Sequence, residues 1–194
     1  MTRALLALSA ALLTAAALPA QQPTPAPRPA PAPKQTPNPH YAVVHLQIDV
    51  DAPVEKTWAR IGKYCDIGEW GIPGCTILSG DGDFGTVRSI ADEILVAKTQ
   101  YSYTYAQPVR VGVPYNMYHG TLEARAVTPT TSRLFYTLLF DNSALADDAA
   151  REKDIANRTT RFNGFLKNMK TLAEGGTVAP ASLAAPPVIP SATK

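Results

Sequence analysis

The chain has 194 residues, a formal charge of +2, and 18 prolines, nine of them between Pro19 and Pro39 and four between Pro180 and Pro190. From Tyr41 to Ala173 there are 14 Lys/Arg against 15 Asp/Glu, so the excess positive charge belongs to the ends, and a near-neutral middle without a basic stripe argues against nucleic acid or an anionic membrane surface as partner. That middle is long enough to bury one core without metals or many disulfides, which predicts a single domain over residues 41–176.

The first twenty residues read as an export signal. Arg3 supplies a minimal positive region, and Ala4–Leu18 is an Ala/Leu run too short to span a bilayer comfortably. Small residues then offer cleavage after Ala20 or Ala17, and no cysteine stands nearby for a lipoprotein anchor. The rival reading is an uncleaved N-terminal anchor. Cleavage predicts a periplasmic or secreted protein with no stable membrane anchor, and in either case the domain meets an oxidising compartment. There an even pair, Cys65 and Cys75, is expected to close a disulfide, since no C-x-x-C spacing suggests redox catalysis. Residues 21–40 alternate Pro with Ala, Thr or Gln and predict a semi-rigid polyproline II spacer; residues 177–194 predict a disordered tail.

Val43–Val50 alternates cleanly, with Val44, Leu46, Ile48 and Val50 on one face, as a half-buried strand does. Asp51-Ala52-Pro53 then starts a short helix, Asp offering a cap oxygen and Pro suiting the first turn; Val54, Trp58 and Ile61 form its buried face. A second short helical piece is expected over Asp66–Trp70, and Gly71–Gly74 is a turn. Strands follow over Cys75–Ser79, Thr86–Ala91, Glu93–Thr99, Gln100–Gln107, Tyr115–Val127 and Arg133–Phe140. The Gly80–Gly85 cluster lacks the ligand spacing of a calcium loop and reads as a hairpin turn.

The last long segment, Leu145–Leu172, predicts a helix. Ile155, Thr159, Phe162, Leu166, Met169 and Ala173 recur at steps of three and four, acidic residues crowd the first turns, Lys167 and Lys170 sit in the last, and Gly175-Gly176 ends it. One apolar stripe that long needs a broad partner. The layout is therefore α+β, with a strongly curved antiparallel sheet of six to seven strands wrapped on the C-terminal helix and two short helices after the first strand.

Several stretches carry a resemblance. Leu46-x-Ile48-x-Val50-x-Ala52-Pro53-Val54-x-x-x-Trp58, Cys65-Asp66-Ile67-Gly68-Glu69-Trp70, Thr86-Val87-Arg88, Tyr101-Ser102-Tyr103, Tyr118-x-Gly120-Thr121-Leu122 and Asn163-Gly164-Phe165-Leu166-Lys167 resemble, in this order, the SRPBCC (START-like) superfamily in its polyketide cyclase/dehydrase and lipid-transport branch. The resemblance covers about residues 42–173 and implies a helix-grip fold with a cavity between sheet and long helix. Two departures stand out: Gly71-Ile72-Pro73 replaces a His-Pro that often follows the tryptophan, and Ala97 stands where the fourth strand often has glutamate.

The usual catalytic constellations are missing. His40, His45 and His119 have no metal-ligand spacing, no G-x-S-x-G elbow or phosphate-cradling loop occurs, and no carboxylate is assigned to the inward face. Neither metal nor cofactor is expected. What remains is tyrosine: Tyr101, Tyr103, Tyr105, Tyr118 and Tyr136 are placed inward, with the single charge Arg88 and the small residues Gly120 and Ala124. A buried arginine needs an anionic partner, from the protein or from a ligand. These residues, with Trp70 near the mouth, are the candidate ligand-binding set; a core filled by its own tyrosines is the alternative. The expected function is binding of an apolar or aromatic, lipid- or polyketide-like molecule. A cyclase or dehydratase using tyrosines and Arg88 to polarise a carbonyl, and a partner-docking module, are the alternatives.

Overall fold

The computed structural model describes residues 38–110, 115–179 and 183; the expected signal, the spacer as far as residue 37 and most of the C-terminal tail lie outside the described residues. The chain begins with β1 (Tyr41–Val50), then α1 (Val54–Ile61) and α2 (Ile67–Trp70). The meander is β2 (Ile77–Ser79), β3 (Val87–Arg88), β4 (Glu93–Thr99), β5 (Ser102–Ala106), β6 (Tyr118–Thr128) and β7 (Thr131–Asp141), closed by α3 (Asp148–Ala173). The strands form one antiparallel seven-stranded sheet in the order β1-β7-β6-β5-β4-β3-β2. The two ends of the meander, β1 and β2, are thus opposite edges, and α1 and α2 bridge them. This is the helix-grip arrangement expected from the sequence.

Alternation decides which side chains go inside. On β1, Ala42, Val44 and Val50 are buried; on β7, Leu134, Tyr136, Leu138 and Phe140 are all fully buried, as are Leu122 on β6 and Tyr105 on β5. Over this face α3 lays Phe162, Phe165, Leu166, Met169, Leu172 and Ala173. The expected stripe is recovered only from Phe162 onward; Ile155 and Thr159 are half-buried. In the first half of the helix a cation takes the apolar role. The guanidinium of Arg158 lies 4.2 Å from the Tyr115 ring centroid, 4.9 Å from Tyr118 and 4.6 Å from Phe140. Asp154 fixes it, accepting from Arg158 Nε at 3.1 Å and from the Tyr115 hydroxyl at 2.7 Å.

Local chemistry differs from expectation at both helix starts. Pro53, not Asp51, is the N-cap of α1, and no side chain caps it. Asp51 instead donates its backbone N–H to Glu174 Oε1 at 2.7 Å while its carboxylate lies 3.7 Å from Lys170 Nζ, tying the β1–α1 turn to the end of α3. The start of α3 is capped by Asp147, whose Oδ1 accepts from Ala150 N at 2.8 Å; that cap sets the boundary three residues later than the periodicity suggests. The expected strand over Thr86–Ala91 contracts to Val87–Arg88, because Ala91 and Asp92 both adopt positive φ and turn the chain.

Cys65 and Cys75 are bridged, with Cα atoms 5.4 Å apart. The bond joins the α1–α2 loop to the segment entering β2, and a ring of this size stabilises by about 2.5–3 kcal/mol in the loop-entropy picture. Among the described residues no helix is long and apolar enough to cross a membrane.

Candidate functional site

Charge in the interior gathers around Arg88. It is fully buried on β3, and the carboxylate it requires comes from the protein: Glu93, at the start of the antiparallel neighbour β4. Arg88 Nε donates to Glu93 Oε2 at 2.7 Å, Nη2 lies 2.5 Å from the same oxygen, and Nη1 donates to the Tyr64 carbonyl at 2.5 Å. Gln107 Nε2 donates to the other carboxylate oxygen at 2.9 Å. Burial works against the guanidinium charge, but Glu93 together with the surrounding tyrosines outweighs it and Arg88 stays protonated; burial pushes the Glu93 carboxyl up, opposed by Arg88.

Three tyrosine rings box this pair. The guanidinium lies 4.3 Å from the Tyr64 ring centroid, 4.8 Å from Tyr105 and 5.9 Å from Tyr103, a desolvated cation–π arrangement. Burial raises the phenol pKa of all three, so each hydroxyl stays protonated. Their hydrogen bonding differs. Tyr105 and Tyr136 share a hydroxyl–hydroxyl bond of 3.0 Å. The hydroxyls of Tyr64 and Tyr103 are buried with no hydrogen-bond partner of acceptable geometry, although Tyr103 lies within the field of Arg88.

Both residues are among those lining a cleft of about 800 Å³. One side is α1 and the loop after it, with Trp58, Tyr64 and Asp66; the other is β2, β4 and β5, with Ile77, Leu95 and Tyr103. Asp66 accepts from the Lys63 N–H, and burial raises its carboxyl pKa. A β-bulge between Leu95 and Ala97 shifts the parity of β4. Ala97 therefore pairs with outward-facing Thr104, and Lys98 pairs with Tyr103 and joins the cleft wall, its Nζ donating to the Gly82 carbonyl at 2.9 Å.

A family model described as polyketide cyclase/dehydrase and lipid transport matches residues 41–174. The chain belongs to this polyketide cyclase/dehydrase and lipid-transport family. No curated protein matches it. Among solved structures it is similar to a protein from Nitrosospira multiformis, 24% identical with a TM-score of 0.51, over 66% of this chain and 94% of that one. It is also similar to truncated norcoclaurine synthase from Thalictrum flavum, at 10% identity and a TM-score of 0.55 over 74% and 99%. A third is the di-domain ARO/CYC BexL of the BE-7585A biosynthetic pathway, at 12% identity and a TM-score of 0.51 over 69% of this chain and 46% of that one. At these identities the likeness is one of fold.

Within this family member, the seven residues singled out from the sequence occupy four places. Arg88, Tyr103 and Tyr105 come together around Glu93, and of these Tyr103 reaches the cleft wall. Tyr118 and Tyr136 lie in the packed interior beneath α3: the Tyr136 ring is 4.8 Å from Phe162, the Tyr118 ring 5.8 Å from Phe140. The room offered by Gly120 is taken by the Tyr105 ring, into which a Cβ there would run directly. Tyr101 stands at the β4–β5 turn, its hydroxyl donating to Glu55 at 3.3 Å. Trp70 is fully buried, its indole N–H donating to the Ile61 carbonyl at 3.2 Å and its ring 5.9 Å from Phe165; it is not part of the cleft wall.

Sequence reasoning missed Tyr64, Glu93 and Lys98. The expectation that no carboxylate faces inward is corrected by Glu93, which is 3% exposed. Its strand, Glu93-Ile94-Leu95-Val96-Ala97, has apolar residues at both parities, so alternation assigns no face. Lys98, an exposed residue, stands on the cleft side of its strand only because of the bulge. Tyr64 lies in a loop without periodicity; the one signal for it was its place beside Cys65 in a disulfide-tethered turn.

Proposed function

We propose that this chain is an exported small-molecule-binding protein that holds an apolar or aromatic ligand, lipid- or polyketide-like, in the cleft between α1 and β4–β5. The observation carrying this reading is the cleft itself: apolar walls from Trp58, Ile77 and Leu95, with Tyr64, Asp66 and Tyr103 also among the lining residues. Apolar concavities with a few convergent polar groups are where small ligands bind. Family membership supports the same reading, as does the named activity of the BexL and norcoclaurine synthase structures, which share the fold. Export is supported by the Cys65–Cys75 disulfide together with the signal-like first twenty residues. The residues engaging the ligand are Tyr103 and Tyr64, with Arg88 and Tyr105 holding those rings in place and Tyr101 at the edge.

Asp66 supports a second reading, a cyclase- or dehydratase-like enzyme in the same cleft. It is a partly buried carboxylate in the wall with a raised pKa, the property a general base needs. The test for both is to purify the protein natively and identify bound molecules by mass spectrometry. A small apolar or aromatic molecule is expected with the wild-type chain and absent from Ala59→Trp, which fills the cleft from an exposed position of α1. If the bound molecule also turns over, Asp66→Asn should slow turnover by about 10²-fold or more. A wild-type protein that carries nothing, or an Ala59→Trp protein as loaded as the wild type, overturns the assignment.

A further inference from the structure

The Cys65–Cys75 bond has its ends on the two sides of the cleft. Cys65 lines the cleft between Tyr64 and Asp66, on the side of α1 and its following loop. Cys75 stands two residues before Ile77, which lines the opposite side on β2. The bond is therefore a strut from one wall to the other.

Without the bridge the two ends are held very differently. After Cys65, the side chains of Ile67, Trp70 and Ile72 are buried, and Asn168 Nδ2 donates to the Trp70 carbonyl at 3.0 Å. That packing keeps α2 in place whatever the state of the bridge. β2 has little of this kind. It is an edge strand of three exposed residues, and its neighbour β3 has two, with a register shift between Ile77 and Ser79. Ser89 adds to the hold, donating its N–H to the Thr76 carbonyl at 2.9 Å and accepting the Thr76 N–H on its hydroxyl at 3.0 Å. Segments with few buried contacts and exposed hydrogen bonds are the first to open. Both cysteines are half-buried rather than sealed in the core, and Cys75 lies between exposed Gly74 and Thr76, which leaves an attacking thiolate a way in.

Resting on the proposed binding role, we infer that the Cys65–Cys75 disulfide is a redox latch on the cleft, and that its partner is a dithiol reductant. One thiolate of the dithiol attacks a cysteine sulfur and releases the other cysteine as a thiolate. The second thiol of the reductant then resolves the mixed disulfide. Two electrons and two protons end on Cys65 and Cys75 as thiols, and the reductant leaves as its own disulfide. β2 then parts from the loop after α1, and the Ile77 side of the cleft is lost. The ligand leaves a protein that keeps its main sheet and α3.

The test compares the oxidised full chain, the same chain treated with dithiothreitol, and Cys65→Ser/Cys75→Ser. Amide hydrogen exchange reads the latch without any ligand. The Thr76 and Ser89 amides, which bond across the start of β2, should exchange faster in the reduced chain and in the variant, while amides of β6 and β7 keep their protection. Both proteins should still unfold in one cooperative transition, at a lower temperature. Binding is read with 2-acetylnaphthalene as an apolar aromatic probe. Reduction should weaken it by about tenfold or more, the loss that re-ordering a single residue of β2 on binding produces. Reoxidation should restore the affinity of the wild-type chain, and dithiothreitol should leave that of the variant unchanged. If the variant does not fold, the reduced wild-type chain decides. Equal affinity before and after reduction, or unchanged exchange at Thr76 and Ser89, overturns the latch and leaves the binding cleft in place. A bond that dithiothreitol does not reduce in the folded protein, or a reduced chain that unfolds throughout, also overturns it, since the bridge is then a staple of the fold. A probe that binds neither form removes the binding role and the latch with it.

Discussion

Glu93→Leu is expected to destabilise the protein by about 3–5 kcal/mol, because it leaves the Arg88 guanidinium charged, fully buried and unpaired. Three features make the loss large. Arg88 has 0% side-chain exposure, so water cannot replace the carboxylate. Its remaining partner is one carbonyl, that of Tyr64. Gln107 also loses its acceptor. The double variant Arg88→Leu/Glu93→Leu should recover most of the loss, since replacing both members of a buried ion pair by apolar groups is often close to neutral. Urea unfolding of the three proteins, read at constant slope, measures both numbers. A single variant within about 1 kcal/mol of wild type would mean that solvent reaches this corner and that the pair is not sealed in the interior.

The second large effect is Tyr136→Ala, with an expected loss of about 3–5 kcal/mol. The Tyr136 ring is fully exposed to nothing but protein: Phe162 packs edge-on at 4.8 Å, and its hydroxyl bond to Tyr105 would be left unmade. This substitution distinguishes a packed interior beneath α3 from an open one. In a packed interior the void has little means to collapse, because Tyr105 is already wedged over Gly120. In an open interior the ring has free space on one side, the cost falls below about 2 kcal/mol, and an apolar probe restores little. Equilibrium unfolding of Tyr136→Ala beside Tyr136→Phe separates the ring's packing from the hydroxyl.

How much of this was written in the sequence depends on the strand. On β1, and on β7 apart from Ser132, each inward residue is apolar and each neighbour more polar or more exposed, so parity alone identifies Val44, Leu134 and Leu138 as core. The long helix and its position across the sheet follow from one apolar stripe and the rule that such a stripe must be covered. The inward placement of Tyr103, Tyr105, Tyr118 and Tyr136 was equally legible, since all three strands alternate without interruption at those points. Where the opening lies was not. Parity says which residues face the helix, not whether they touch one another, and Tyr105 occupies the room that Gly120 had suggested for a ligand. The cleft forms farther along, where α1 and its following loop stand off β4 and β5, and its composition depends on two events invisible to periodicity. One is the bulge that puts exposed Lys98 on the cleft side of its strand; the other is the loop that presents Tyr64 and Asp66, tethered by Cys65. Trp70 was misleading for a simpler reason. An indole at the end of a short helix could close a mouth or plug a core, and here its N–H finds the Ile61 carbonyl within the core.

The central claim is that a small aromatic ligand sits in the α1–β4–β5 cleft and not beneath α3. The direct measurement is a two-dimensional NMR titration of the uniformly labelled chain with 2-acetylnaphthalene, with shifts followed at residues of each region. The account predicts that signals from Trp58, Ala59, Tyr64, Lys98 and Tyr103 move in a saturable way while those from Tyr136, Leu138, Phe162 and Met169 stay in place. Saturable shifts centred on Tyr136, Phe162 and Met169, with the cleft residues unmoved, would contradict it.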